Sequence, residues 1–130
     1  CFCDDRGDEG GKTGVLESVN TPEISVQDLE NILKSEQEFV LLDVREPWEL
    51  ARATWNDSRL YLAPLSLLSQ RGAEILPETK LLKTIVVCHH GICSVHVADW
   101  LLSQGWAEVF SLRGGIEFYA LHVDPTIGRY

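Results

Sequence analysis

The sequence predicts an α/β domain: a parallel sheet of about five strands flanked by helices on both faces. Short apolar runs alternate with stretches of helical spacing from Pro22 to Leu121. Two of those runs, Glu38 to Val44 and Thr84 to Cys88, are apolar almost throughout, as strands buried on both faces are. Glycines stand where successive elements must turn, at Gly105 and at Gly114-Gly115.

In chain order, Pro22-Glu23-Ile24 reads as a short extended lead-in, and Ser25 followed by Asp28 resembles a capping box opening a helix. Val26, Leu29, Ile32 and Leu33 give that helix one apolar face. The strand Glu38 to Val44 ends in Asp43, Arg45 and Glu46; Pro47 to Ala53 follows as a helical turn. Arg59 to Leu62 is a short strand and Leu65 to Gln70 another helix. After the strand Thr84 to Cys88, the stretch from Cys93 to Gln104 carries Val95, Ala98, Leu101 and Leu102 on one side and stops at Gly105, which caps its C-terminus. Val109 to Leu112 is a strand, Ile116 to Leu121 the last helix, and the chain then runs extended to Tyr130. The organisation expected is an acidic, glycine-rich arm over 1–21, a domain over 22–121 and a tail over 122–130.

A chain of 130 residues with 45% apolar content can build one compact domain but not two. Its formal charge of -9 argues against nucleic acid or an anionic membrane surface as a partner. No apolar run approaches the length of a membrane span, so no membrane insertion is expected. The absence of methionine and the start at Cys1 suggest a processed or truncated product whose targeting segment is gone. Two of the four cysteines crowd one loop and two crowd the N-terminus, which suits a reducing compartment better than a disulfide scaffold. Cys1-Phe2-Cys3 lacks the ligand spacing of a zinc site.

The chemistry concentrates at Thr84-Ile85-Val86-Val87-Cys88-His89-His90-Gly91-Ile92-Cys93-Ser94, where an apolar strand runs into a cysteine and then through a tight loop into a helix. Loop amides and the first N–H groups of that helix lack intrahelical partners and favour negative charge, so Cys88 is expected to be a nucleophile with a lowered pKa. The competing reading is a small buried residue closing a strand. His89, His90 and Gly91, poor core formers and good turn formers, favour the first. As successive residues the two histidines are expected to splay apart. That, together with a loop whose amides suit an anion, sets aside a zinc site built from Cys88, His89, His90, Cys93 and His96; no metal is expected.

Four stretches together resemble the rhodanese-like family of single-domain sulfurtransferases: Leu42-Asp43-Val44-Arg45-Glu46-Pro47-Trp48-Glu49, Val86 to Ser94, Ala98 to Leu102 with Gly105-Trp106, and Leu112-Arg113-Gly114-Gly115-Ile116. The tail Val123 to Tyr130 is similar to the ends of plant and cyanobacterial members, which points to a plastid, the alternative being the cytoplasm. The resemblance implies that Cys88 takes sulfane sulfur from a small donor (thiosulfate, mercaptopyruvate or a persulfide), holds it as a persulfide and passes it to a thiol or cyanide. It implies a cradle of amides from His89, His90, Gly91, Ile92, Cys93 and Ser94, with no metal or organic cofactor. Asp43 and Arg45 would organise the loop and Arg113 would support it; for Arg45 a surface ion pair is an equally good reading.

Two departures stand out. Active members commonly carry a cation where this chain has Cys93, and losing it should weaken binding of thiosulfate and of phosphate-like anions. Cys93 could instead act as a resolving thiol, which would make the protein a redox-gated carrier. The second departure is Ala53-Thr54-Trp55-Asn56-Asp57-Ser58, standing where the family has a Gly-His-Ile-Pro-Gly-Ala turn. The alternative function is a catalytically impaired module kept as a binding or structural subunit of a larger assembly, with a protein partner docking through residues 1–21. Trp48, Trp55, Trp100 and Trp106 are candidates for an exposed contact, although aromatic residues in a chain of this size are more often core. His122 is expected at the surface.

Overall fold

The computed structural model describes residues 21–129. The expectations for the N-terminal arm, its Cys1-Phe2-Cys3 and its docking role therefore lie outside the described residues, apart from Thr21.

Five parallel strands form one sheet: β1 (Glu23–Ile24), β2 (Val40–Asp43), β3 (Leu60–Leu62), β4 (Thr84–Val87) and β5 (Val109–Leu112), in the order β1-β5-β4-β2-β3. The helices are α1 (Val26–Lys34), α2 (Pro47–Leu50), α3 (Leu65–Arg71), α4 (Cys93–Ser103) and α5 (Gly115–His122), with 3-10 turns at Gly72–Ile75 and Pro125–Ile127. Strand residues alternate between two apolar layers. Val40, Leu42, Val86 and Cys88 meet Val97, Ala98 and Leu101 of α4 on one face. Leu41, Ile85 and Val87 meet Val26 and Leu29 of α1 and Ile116 and Tyr119 of α5 on the other. Both faces being covered explains why β2 and β4 are buried throughout and apolar except at Asp43 and Thr84. From β2 the chain steps outward to β3, then returns through β4 to β5 on the other side, so the topology reverses between β2 and β4. Ligand crevices of open α/β sheets lie at such a reversal, beyond the carboxyl ends of the strands.

Ser25 caps α1 as expected, its side chain accepting from the Asp28 N–H at 3.1 Å. Elsewhere the structure corrects details of the sequence reading. The predicted turn Pro47 to Ala53 is helical over Pro47–Leu50 only. On α4 the buried set is Cys93, Ser94, Val97, Ala98 and Leu101, whereas Val95 is half-buried: the helix is apolar on most sides, so spacing alone could not choose the inner face. The tail is not extended. Pro125–Ile127 forms a 3-10 turn begun by Asp124, whose side chain accepts from the Thr126 N–H, and the Thr54 N–H donates to Ile127 O at 3.2 Å. That contact also places the divergent segment 53–58, whose Ala53 and Trp55 are buried, with Trp55 meeting Tyr119 edge to face at 5.3 Å. Trp106 is buried, Trp48 is exposed and His122 is exposed, as expected for it.

Arg59 ties β3 to the end of α1. Its Nη1 donates to the carbonyls of Ser35 (3.1 Å) and Gln37 (2.8 Å), its Nη2 to Leu33 O (2.9 Å), and its Nε and Nη2 to Asp57 (both 2.8 Å), with the guanidinium over the Phe39 ring. A cation on the last carbonyls of a helix satisfies acceptors that the helix itself leaves open. Hydrogen bonding from Arg59 holds the Asp57 carboxyl below its ordinary value of 3.8. A carboxylate lowered in the folded state contributes stability that is present above its unfolded pKa and is lost as pH falls through the folded one. Arg59→Met should therefore cost about 2–4 kcal/mol in urea unfolding at pH 7. The gap from wild type should narrow at pH below 3.8; a loss under about 0.5 kcal/mol would mean that the guanidinium does not anchor this corner.

Candidate functional site

Cys88 follows the last residue of β4, the middle strand of the sheet, and its side chain is only 4% exposed. The loop after it turns back on the sulfur. The N–H groups of Gly91 and Ser94 donate to Cys88 Sγ at 3.1 and 3.3 Å, and the thiol lies 3.5 Å from Ser94 Oγ. Ser94 stands in the first turn of α4, so its N–H is one of those a helix leaves without an internal acceptor. Of the six loop amides expected around the sulfur, those of Gly91 and Ser94 make the contact.

The loop keeps this shape because a second segment backs it. The N–H of Ile116 donates to Cys88 O at 2.9 Å and that of Glu117 to His89 O at 3.1 Å, so the start of α5 is bonded to the loop backbone. Gly115 makes this approach feasible: a Cβ there would overlap the His89 carbonyl and stand 2.6 Å from Cys88 O. Gly91, at φ +88°, faces the same contact from the other side, where a Cβ would lie 2.7 Å from Gly114 N.

His89 and His90 do not splay apart. Their rings stack with centroids 3.9 Å apart and 23° between planes, because the turn into Gly91 ends the strand's alternation of sides. Burial, then the neighbouring His90, push the His89 imidazole below its ordinary 6.5. Its Nε2 lies 3.9 Å from Glu117 Oε1, and Glu117 is clamped by Arg129, whose Nη2 donates at 2.6 Å and holds that carboxyl below its usual range. The tail thus reaches the loop through two charges that sequence reasoning missed.

Asp43 and Arg45 form a buried pair, correcting the reading of Arg45 as a surface ion pair. Their side chains are 0% and 1% exposed, and Arg45 donates through Nε (2.9 Å), Nη2 (2.7 Å) and its backbone N–H (3.1 Å) to the Asp43 carboxylate. Asp43 sits beside Val87 in the sheet register, and the Val44 N–H donates to Val87 O, so the pair abuts the residue before Cys88. Arg113 stands at the rim with its Nε on Glu23 Oε1 at 3.0 Å and its side chain mostly exposed. Cys93 is buried at the start of α4 in the same apolar layer as Cys88; Cys88 is a free thiol whereas Cys93 is disulfide-bonded, so the two sulfurs are not joined and the expected resolving thiol is already engaged elsewhere. His96 is exposed on α4. Ile92 is exposed at the loop tip. Among the described residues no group of His, Cys, Asp or Glu is gathered as metal ligands, and no helix is long and apolar enough to cross a membrane.

Behind the sulfur, Ser94 Oγ meets Ser111 Oγ of β5 at 2.7 Å, both residues fully buried. Sequence reasoning did not single out Ser111; a hydroxyl inside the apolar run Val109-Phe110-Ser111-Leu112 was the available signal.

The family profile of rhodanese-like domains matches residues 25–122. A chloroplastic rhodanese-like and PpiC-domain protein of Arabidopsis thaliana is 38% identical over 94 residues, covering 72% of this chain and 31% of that protein; the chain thus spans under a third of that relative. A sulfurtransferase of Allochromatium vinosum is 31% identical over 105 residues, covering 81% of this chain and 94% of the relative. Among solved structures, a rhodanese-related protein of Thermoplasma volcanium superposes with a TM-score of 0.62 at 28% identity, over 78% of this chain and 93% of that one.

Gly115→Ala should cost more than about 2 kcal/mol, because a backbone carbonyl cannot step aside as a flexible side chain would. Wild-type unfolding free energy alongside that of the variant decides it: a change within about 0.5 kcal/mol would mean that the loop tolerates separation from α5. His89 adds a pH dependence. An imidazole lowered by folding contributes stability that is present above the unfolded value of 6.5 and is lost as pH falls through the folded value. His89→Asn should flatten the wild-type decline in stability as pH falls below 6.5; parallel curves for the two proteins would contradict the burial argument.

Proposed function

The chain belongs to the rhodanese-like domain family, and on that premise we propose that it moves sulfane sulfur through a persulfide on Cys88. Sulfur transfer in general terms follows from its sulfurtransferase relatives; the nucleophile and the intermediate are our reading. The observation that carries it is the pair of N–H groups, from Gly91 and Ser94, donating to Cys88 Sγ. Fixed donors aimed at a sulfur stabilise negative charge there without reorganising during reaction, and a helix N-terminus adds its dipole in the same sense.

Cys88 attacks the outer sulfur of a donor persulfide. The donor's S–S bond breaks, its inner sulfur leaves as a thiolate and takes a proton from solvent, and Cys88 holds the outer sulfur. An acceptor thiolate then attacks that sulfur, the new S–S bond forms on the acceptor, and the electron pair of the broken bond returns to Cys88 under the same two N–H groups. Each step transfers one sulfur atom and needs no external oxidant or reductant.

The loop 88–94 contains no arginine or lysine. The nearby guanidinium groups are committed: Arg45 to Asp43, Arg113 to Glu23 and Arg129 to Glu117. We therefore place alkyl persulfides and mercaptopyruvate above thiosulfate as donors, since a dianion finds no bidentate cation in the cradle. The Arabidopsis relative favours a plastid location.

Transfer from a low-molecular-weight alkyl persulfide to cyanide or a thiol, followed as released thiocyanate or acceptor persulfide, should fall at least about a thousandfold in Cys88→Ser. No transfer from any donor by the wild type would leave the chain a binding module. Thiosulfate should be used at least about tenfold less efficiently than the alkyl persulfide in kcat/KM; equal efficiency would show that the cradle grips an oxyanion without a guanidinium.

A further inference from the structure

We propose that Ser111 is a positioning residue for the Cys88 sulfur, acting through Ser94 in a buried chain of two hydroxyls. The inference rests on Cys88 being the reactive thiol. Ser111 occupies the interior of β5, between Val86 and Glu23 in the sheet register, and is 0% exposed. A hydroxyl in an otherwise apolar strand is costly unless it is hydrogen-bonded. Among the described residues its partner is Ser94 Oγ at 2.7 Å, and Ser94 Oγ in turn lies 3.5 Å from Cys88 Sγ.

The two directions in which this chain can run are not equivalent. With a protonated thiol, S–H donates to Ser94 Oγ, Ser94 donates to Ser111 Oγ, and the Ser111 proton is left at the end of the line without an acceptor. With charge on the sulfur both hydroxyls rotate: Ser111 donates to Ser94 Oγ and Ser94 donates to Sγ. No proton leaves either serine; each only turns about its Cβ–Oγ bond, and every O–H in the chain then has an acceptor. The sulfur then receives three donors, the Ser94 hydroxyl joining the N–H groups of Gly91 and Ser94. The chain closes fully only around an anionic sulfur, and that is the state that attacks a donor and the state left when the acceptor departs. Ser111 sets the direction because it is the member whose proton has one place to go.

The test is the pH profile of Cys88 alkylation by iodoacetamide, located on Cys88 by peptide mass and measured for wild type, Ser111→Ala and Ser111→Thr. No sulfur donor is involved. Ser111→Ala should slow alkylation about three- to tenfold at pH 7 and leave the rate at pH 10 unchanged, with Ser111→Thr close to wild type because it keeps the hydroxyl. His89 and His90 are common to all three proteins, so the comparison isolates the hydroxyl at position 111. A profile for Ser111→Ala that superposes on wild type, or one lowered equally at every pH, would overturn the proposal, the second result being the signature of a merely structural serine. Failure of wild type to transfer sulfur while the alkylation profile still responds to Ser111 would remove the transfer reading and leave the hydroxyl chain standing.

Discussion

The loop after β4 can bend two of its N–H groups onto one sulfur only because the segment opposite carries no side chain at the point of closest approach. Gly115 stands against the carbonyls of Cys88 and His89, and the N–H groups of the next two residues fasten to those same carbonyls. With the carbonyls held outward by α5, the N–H groups of Gly91 and Ser94 are left to point inward at Sγ. The cradle is therefore a joint product of the loop after β4 and the turn after β5, which meet at the carboxyl ends of two neighbouring strands, and neither builds it alone. Everything chemical about the site follows from that mutual fixing, since a donor stabilises charge on sulfur only if it is already in place when the charge arrives.

Around this centre the charged groups are arranged in shells that do not touch the sulfur. Asp43 and Arg45 are buried as a bidentate pair beside β4, their close geometry offsetting the desolvation of both charges. Glu117 and Arg129 bring the C-terminal tail to the edge of the loop beside His89. These pairs engage the guanidinium groups and leave backbone N–H groups and the Ser94 hydroxyl around Cys88 Sγ. A site that binds charge through neutral donors suits a sulfur bearing a single negative charge better than a multiply charged oxyanion.

The parts legible in the sequence were those governed by one period or one residue type. Buried-on-both-faces strands showed as the apolar runs of β2 and β4, the cap of α1 showed as Ser25, and Cys88 showed as a thiol placed between a strand and a loop of turn formers. What stayed hidden depended on distance across the fold. The packing side of α4 could not be chosen because Val95 and Val97 are equally apolar. The stacking of His89 on His90 comes from the turn at Gly91, which local alternation cannot foresee. The burial of Arg45 depends on the crowding of β2 against β4, and the tail's 3-10 turn on the hydrogen bond from Thr54 N–H to Ile127 O, between residues 73 positions apart in the chain but adjacent in space. Ser111 was visible only as a misfit, a hydroxyl where the strand called for a methyl.

The central claim is that Cys88, held under the Gly91 and Ser94 amides, is the atom that carries sulfur. Fragmentation mass spectrometry of the peptide spanning Lys83 to Arg113, after brief exposure of the native protein to an alkyl persulfide and blocking of free thiols, tests it at single-residue level. The account predicts the mass of one additional sulfur on Cys88 and its disappearance on adding an acceptor thiol. No additional sulfur on Cys88 while wild-type transfer proceeds would contradict it.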